Sequence, residues 1–217
     1  MAGGAALAIG GSSPMAAEAP VVLELFTSQG CSSCPPADAL LGELVRQPNV
    51  IGLAWHVDYW NRLGWPDPFA RRQWTERQRD YAARLREEVY TPALVVNGSL
   101  MVVGSNRGSV LAAMRGAPPL AVTASLRRTG GRLEAEVGLL PSGATMALVV
   151  FDPEQVTAVG AGENGGRRLR EFQVVRELQR LDAWAERLVL PGIKPTQGAA
   201  LLVQDQAGRI LGSAVAA

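Results

Sequence analysis

A chain of 217 residues that is 47% hydrophobic and carries a formal net charge of +1 can bury a substantial core, and its balance is that of a packed soluble protein rather than a disordered one. Its basic residues, all arginine except Lys194, are interleaved with 20 acidic ones and form no stripe, which argues against a nucleic-acid surface. Two cysteines are too few for a disulfide scaffold, and with the single histidine, His56, they do not complete a four-ligand structural zinc site.

Residues 1–19 are Gly/Ala-rich and close on Ala17-Glu18-Ala19-Pro20, a small-residue pattern of the kind at which signal peptides are cut. No Lys or Arg precedes the short apolar stretch Ala5-Ala6-Leu7-Ala8-Ile9, so the segment reads either as the remainder of a signal peptide or as a disordered leader. The first reading places the protein in the periplasm or outside the cell. No run of about 18 apolar residues occurs elsewhere, and no membrane span is expected.

Val21-Val22-Leu23-Glu24-Leu25-Phe26 predicts a buried strand, and Thr27-Ser28-Gln29-Gly30 breaks it just before Cys31-Ser32-Ser33-Cys34. Pro35-Pro36 suit the first turn of a helix, and Leu40, Leu41, Leu44 and Val45 fall at helical spacing over residues 37–45. Two thiols separated by two residues close a disulfide ring when the backbone turns, as it does where a helix starts. There the free N–H groups and the helix dipole favour a thiolate, taking a thiol from about 8.5 into roughly the 3.5–7.5 range. Cys31 is then the attacking thiolate and Cys34 the thiol that resolves a mixed disulfide. An inert structural disulfide, two unrelated buried thiols and half of a metal site are the other readings of such a pair.

Residues 50–57 form a second apolar run. It leads into His56-Val57-Asp58-Tyr59-Trp60-Asn61-Arg62-Leu63-Gly64-Trp65-Pro66-Asp67-Pro68-Phe69, an aromatic-rich insertion that must pack against its surroundings or wall a pocket, with Tyr59 and Trp60 as candidate substrate contacts. His56 reads as a proton acceptor for a thiol, a metal ligand beside the two sulfurs, or a hydrogen-bonded structural histidine. Asp58 reads as the carboxylate that holds the imidazole, as an acceptor for the Cys34 proton, or as a cap or turn residue.

Residues 70–89 have the pattern of an amphipathic helix. Thr91-Pro92 then stands before a strand at 93–96, a place where either a cis peptide or an ordinary trans proline fits, and Pro92 is a candidate substrate-side platform facing the dithiol. Asn97-Gly98-Ser99 signals a hairpin into residues 100–103, and a short helix over 109–115 closes the unit.

Ala117-Pro118-Pro119 marks a boundary. Beyond it strands are predicted at 121–127, 132–139, 145–151, 186–190 and 199–205, with a mixed segment over 170–184. Gly162-Glu163-Asn164-Gly165-Gly166-Arg167-Arg168 lacks the Gly-Lys-Ser/Thr ending of a phosphate loop and reads as a turn that meets the first unit through Glu163 or Arg167.

With residues 22–38, the block His56-Val57-Asp58-Tyr59-Trp60, then Gly64-Trp65, Asp67-Pro68-Phe69, Tyr90-Thr91-Pro92, and Gly162-Glu163-Asn164 with Arg167 and Val174-Val175-Arg176, the chain resembles a bacterial family of secreted, thioredoxin-like proteins. That family is catalogued as domain of unknown function 1223. The resemblance implies a thioredoxin-like fold and an exported location, but no established reaction. The expected fold is α/β: a thioredoxin-like mixed sheet flanked by helices over residues 20–117, followed by a smaller β-rich, sandwich-like unit over 118–217.

Three functions follow from these residues. The first is thiol–disulfide exchange with protein or small-molecule thiols and a redox partner, which needs no bound cofactor because the cysteine pair stores the electrons. The second is soft-metal binding, copper(I) above all, by Cys31, Cys34 and His56. The third is an interaction module in which the disulfide only stabilises the loop.

Overall fold

The computed structural model describes residues 20–181 and 186–216. The leader at 1–19 and the last residues of the 170–184 segment lie outside them.

The first half runs β1 (Val21–Thr27), α1 (Pro35–Leu44), β2 (Val50–His56), α2 (Arg72–Leu85), β3 (Ala93–Val96), β4 (Leu100–Val103) and α3 (Arg107–Gly116). Strand β1 lies at the centre of this half, parallel to β2 and antiparallel to β3, which pairs in turn with β4. The pleat divides its side chains between two cores. Val22 and Phe26 face Trp55, Trp74 and Tyr81 on the α2 side, while Leu23 and Leu25 face Leu41, Leu44 and Val110 on the side of α1 and α3.

Helix α1 begins at the two prolines, where the missing N–H groups cost nothing, and Cys34 is its N-cap. Helix α2 is shorter than the amphipathic pattern suggests. It stops at Leu85 because Arg86 turns left-handed, with φ 59°, and ends the ladder. The Asn106 side chain accepts from the Ser109 N–H at 3.0 Å and starts α3 two residues earlier than predicted.

The second half supplies β5 (Ala124–Thr129), β6 (Arg132–Val137), β7 (Thr145–Ala158), β8 (Arg168–Leu181), β9 (Arg187–Leu190), β10 (Gly198–Gln204) and β11 (Ile210–Ala216). Strands β5, β6 and β9 make a small antiparallel sheet, while the others extend the large one to eight strands in the order β11-β10-β7-β8-β2-β1-β3-β4. The mixed sheet flanked by helices and the smaller β-rich layer are thus both present. Leu126, Leu133 and Leu190 of the small sheet pack on Leu148, Leu201 and Val203 of the large one, a sheet-on-sheet core.

The large sheet takes strands from both sides of Ala117-Pro118-Pro119, and the join is β8 alongside β2, parallel, with Ala54 opposite Val174. Residues 168–181, which take in most of the mixed segment read from the sequence at 170–184, are a long strand. Its predecessor β7 runs on to Ala158, past Phe151 where the predicted strand ends and through Pro153. The proline is tolerated because the ladder is irregular there, with Gln173 across from it at φ 55°. Helix α1 closes on this join: the missing side chain of Gly42 leaves the space that the Phe172 ring of β8 occupies. Among the described residues no helix is long and apolar enough to cross a membrane.

Candidate functional site

Cys31 and Cys34 are joined as a disulfide with Cα atoms 5.4 Å apart, at the turn from β1 into α1. Backbone bonds Cys31 N–H to Ser28 O (3.1 Å), Cys34 N–H to Cys31 O (3.2 Å) and Asp38 N–H to Cys34 O (3.2 Å) form that turn. Both cysteines are 0% exposed, whereas Ser32 and Ser33 between them face solvent. The Ser33 Oγ lies 3.4 Å from Cys31 Sγ.

Pairing of Phe26 with Ala93 brings Thr91-Pro92 beside the end of β1, where the dithiol loop begins, and the Thr91-Pro92 peptide is cis. The Trp60 indole N–H donates to Thr91 Oγ1 at 2.8 Å, and the Tyr59 hydroxyl donates to Gln78 Oε1 at 3.3 Å. Both rings are half-buried, and Trp60 also leans on Gly30 so closely that a side chain there would collide with it. Trp60 thus links Gly30, the neighbour of Cys31, to Thr91, and its ring centroid lies 6.4 Å from that of Tyr59.

Behind the loop is a buried polar cluster. His56 Nδ1 meets Asp67 Oδ2 at 2.7 Å, and its Nε2 faces Glu171 Oε1 at 3.8 Å. The carboxylate that holds the imidazole is thus Asp67 rather than Asp58. Asp58 is instead tied to α2, its N–H donating to Thr75 Oγ1 at 3.1 Å and its Oδ1 accepting from the Thr75 hydroxyl at 2.6 Å, which makes it a turn carboxylate and not the acceptor for Cys34. The buried acid near Cys34 is Asp38, one helical turn further along α1 and bonded by Thr27 Oγ1 at 3.1 Å.

The metal reading required His56 to turn a ring nitrogen toward both sulfurs. Its two nitrogens face carboxylates, and among the described residues no group of three or more His, Cys, Asp or Glu side chains is arranged to hold a metal ion.

These charges shift one another. Burial works against a charged His56, but the negative charges of Asp67, Glu171 and Asp38 outweigh it and raise the imidazole to about 9. Asp67 is likewise opposed by burial, yet the His56 charge and the N–H groups of Gln29 and Phe69 hold it below the usual carboxylate range. Burial raises Glu171, and it pushes Asp38 up to about 7.

Four residues absent from the sequence expectations complete the site. Gln29 bridges it, donating through Nε2 to Glu171 Oε2 (2.7 Å), accepting at Oε1 from the Trp65 indole (2.9 Å) and donating its N–H to Asp67 (2.9 Å). Gln29, Asp38 and Asp67 all lie inside the quoted motif blocks, which was the available signal. Glu171 had none, because its strand was not recognised.

The turn between β7 and β8 reaches the dithiol loop as expected for Glu163, whose Oε2 accepts from the Ser32 N–H at 2.9 Å. Asn164, wholly buried, donates to the carbonyls of Gln29 and Cys31, both at 2.9 Å, and Arg167 braces it at 2.7 Å. Asn164→Ala leaves two loop carbonyls without their donor. It is expected to lower stability by about 2 kcal/mol in urea unfolding and to speed amide hydrogen exchange at Gly30–Cys34. Unchanged exchange there would show that the turn does not hold the loop.

Known structures share this architecture. Protein AGR_C_4864 from Agrobacterium tumefaciens, determined by X-ray crystallography, is 34% identical and matches with TM-score 0.77 over 92% of this chain and 95% of its own. HBP35 of Porphyromonas gingivalis matches over 91% of this chain and 74% of its own with TM-score 0.62, and at 13% identity the likeness is one of fold alone. No curated protein matches the sequence. Residues 22–206, from β1 through the dithiol, the aromatic insertion and the Glu163–Asn164 turn to β10, match the family described as protein of unknown function DUF1223, and the chain belongs to it.

Proposed function

We propose that the chain is an extracytoplasmic thiol–disulfide oxidoreductase built on a thioredoxin-like module, with Cys31 as nucleophile and Cys34 as resolving thiol. The observation that carries the reading is the Cys31–Cys34 disulfide at the head of α1, beside the Thr91-Pro92 corner at the start of β3. A dithiol at a helix start can exchange electrons without a cofactor: a substrate disulfide is attacked by Cys31, one substrate thiolate leaves, and Cys34 displaces the second as the internal disulfide reforms.

In this reading residues 20–117 form the dithiol module, and residues 118–217 a second unit that completes the site through β8 and the Glu163–Asn164 turn. Thr91, Pro92, Tyr59 and Trp60 form the substrate side, facing protein or small-molecule thiols. His56 supports the loop from behind rather than handling a substrate proton. The extracytoplasmic location rests on the small-residue pattern before Pro20 and on the family resemblance.

Incubation with dithiothreitol and glutathione buffers tests the reading, together with Cys34→Ser, which lacks the resolving thiol and is expected to accumulate a mixed disulfide at Cys31. A disulfide that equilibrates with no dithiol, and a Cys34→Ser protein that traps no partner, would sink it.

A further inference from the structure

The potential of a dithiol pair depends on how well the fold stabilises its thiolate, and at a helix head the backbone N–H groups are the chief source of that stabilisation. Here two of those groups are already engaged. Cys34 N–H donates to Cys31 O at 3.2 Å, and Ser32 N–H donates to the Glu163 carboxylate at 2.9 Å. Glu163 comes from the turn between β7 and β8, more than a hundred residues along the chain, and its neighbour Asn164 fixes that turn against the Cys31 carbonyl at 2.9 Å. An anion thus sits on the amide that directly follows Cys31.

We infer that Glu163 is a positioning residue that sets a negative charge beside Cys31, disfavouring the thiolate and making the reduced pair an electron donor. The inference rests on the thiol–disulfide reading and gives it a direction. In that direction the reduced pair passes two electrons to a substrate disulfide, whose two sulfurs leave as thiols, and a dithiol-bearing redox partner returns the pair to its reduced form.

Hydrogen bonds from the Ser32 N–H and hydroxyl hold Glu163 below the usual carboxylate range, so the charge is present at neutral pH. Ser33 Oγ, 3.4 Å from Cys31 Sγ, is a neutral donor that partly offsets it. Among the described residues, the other ionisable groups placed around the loop are Asp38 on α1, His56 on β2, Tyr59 and Asp67 in the insertion, Glu171 on β8 and Arg167 in the turn itself. All are common to the wild type and the variants below, so a difference between those proteins reports Glu163.

The test is the equilibrium of the full chain with glutathione and dithiothreitol buffers from pH 6.5 to 9.5, for wild type, Glu163→Gln and Glu163→Ala. Below the Cys31 thiol pKa reduction takes up two protons, and above it one, so the pH at which the slope changes is that pKa. Glu163→Gln keeps an acceptor for Ser32 but removes the charge. It is expected to move the break to lower pH, to make the couple about threefold to tenfold more oxidising above it, and to lose most of that difference at 1 M salt. Identical curves for wild type and Glu163→Gln overturn the inference, including the case in which only Glu163→Ala shifts. In either case exchange itself is intact and the oxidoreductase reading survives; a disulfide inert to both buffers overturns the two together.

Discussion

His56→Leu is expected to lose about 3–5 kcal/mol of stability near pH 6, the typical cost of removing one partner from a buried ion pair. The imidazole is wholly buried and lies 2.7 Å from Asp67 and 3.8 Å from Glu171, so leucine leaves two carboxylates in the core with no counter-charge. The pH dependence separates this electrostatic loss from lost packing. Folding raises the imidazole from 6.5 to about 9, so its contribution is complete below pH 6.5 and disappears as pH rises through 9. At 1.36 kcal/mol per unit that is a pH-dependent part of about 3 kcal/mol, most of the expected loss. Urea midpoints for wild type and His56→Leu should converge between pH 6.5 and 9. A gap that stays constant across that window would mean that the imidazole is neutral and acts only by filling space.

The dithiol was legible because its signals are local: an apolar run, a break, two cysteines at spacing three and a proline-led helix all fall within residues 21–45. The corner at Pro92 was legible for a similar reason, since a proline before an apolar run marks the start of a strand. The partners of His56 were not. Asp58 and Asp67 are both near in sequence, and only the path of the insertion, held by Trp65 on Gln29 and by Trp60 on Thr91, decides which one reaches the ring.

Glu171 was hidden by its own role. On β8 Leu169 and Glu171 point inward between the exposed Arg168 and Arg170, so the strand alternates as a half-buried strand should, but the second inward residue is charged. A buried carboxylate that supports a site spoils the very hydrophobic pattern by which its strand would be recognised. Pro153 and the irregular pairing opposite Gln173 masked the length of β7 in the same way. Pairing of β8 with β2, which joins the two halves into one sheet, is a contact across more than a hundred residues that no local pattern encodes.

Asp38→Asn is expected to show the opposite sign. Asp38 is 4% exposed, Thr27 bonds one of its oxygens, and the other has no partner, so burial raises the acid from 3.8 to about 7. The folded chain keeps this proton to a higher pH than the unfolded chain does. Stability held by the neutral acid is therefore complete below pH 3.8 and is lost as pH rises through 7. Asparagine has nearly the same shape and no proton to lose. The variant should match wild type near pH 4 and exceed it above pH 7, by on the order of 4 kcal/mol at 1.36 kcal/mol per unit. Urea midpoints from pH 4 to 8 measure this, and parallel curves would show that Asp38 does not change its charge in that range. The Asp38 window closes near pH 7 and the His56 window runs from 6.5 to 9, and because each charge favours the other the two titrations are coupled where they overlap. Stability should therefore fall as pH rises from 4 to 9, with Asp38→Asn removing most of the fall below pH 7 and His56→Leu most of that above it, and a wild-type curve flat over this range would contradict both assignments at once.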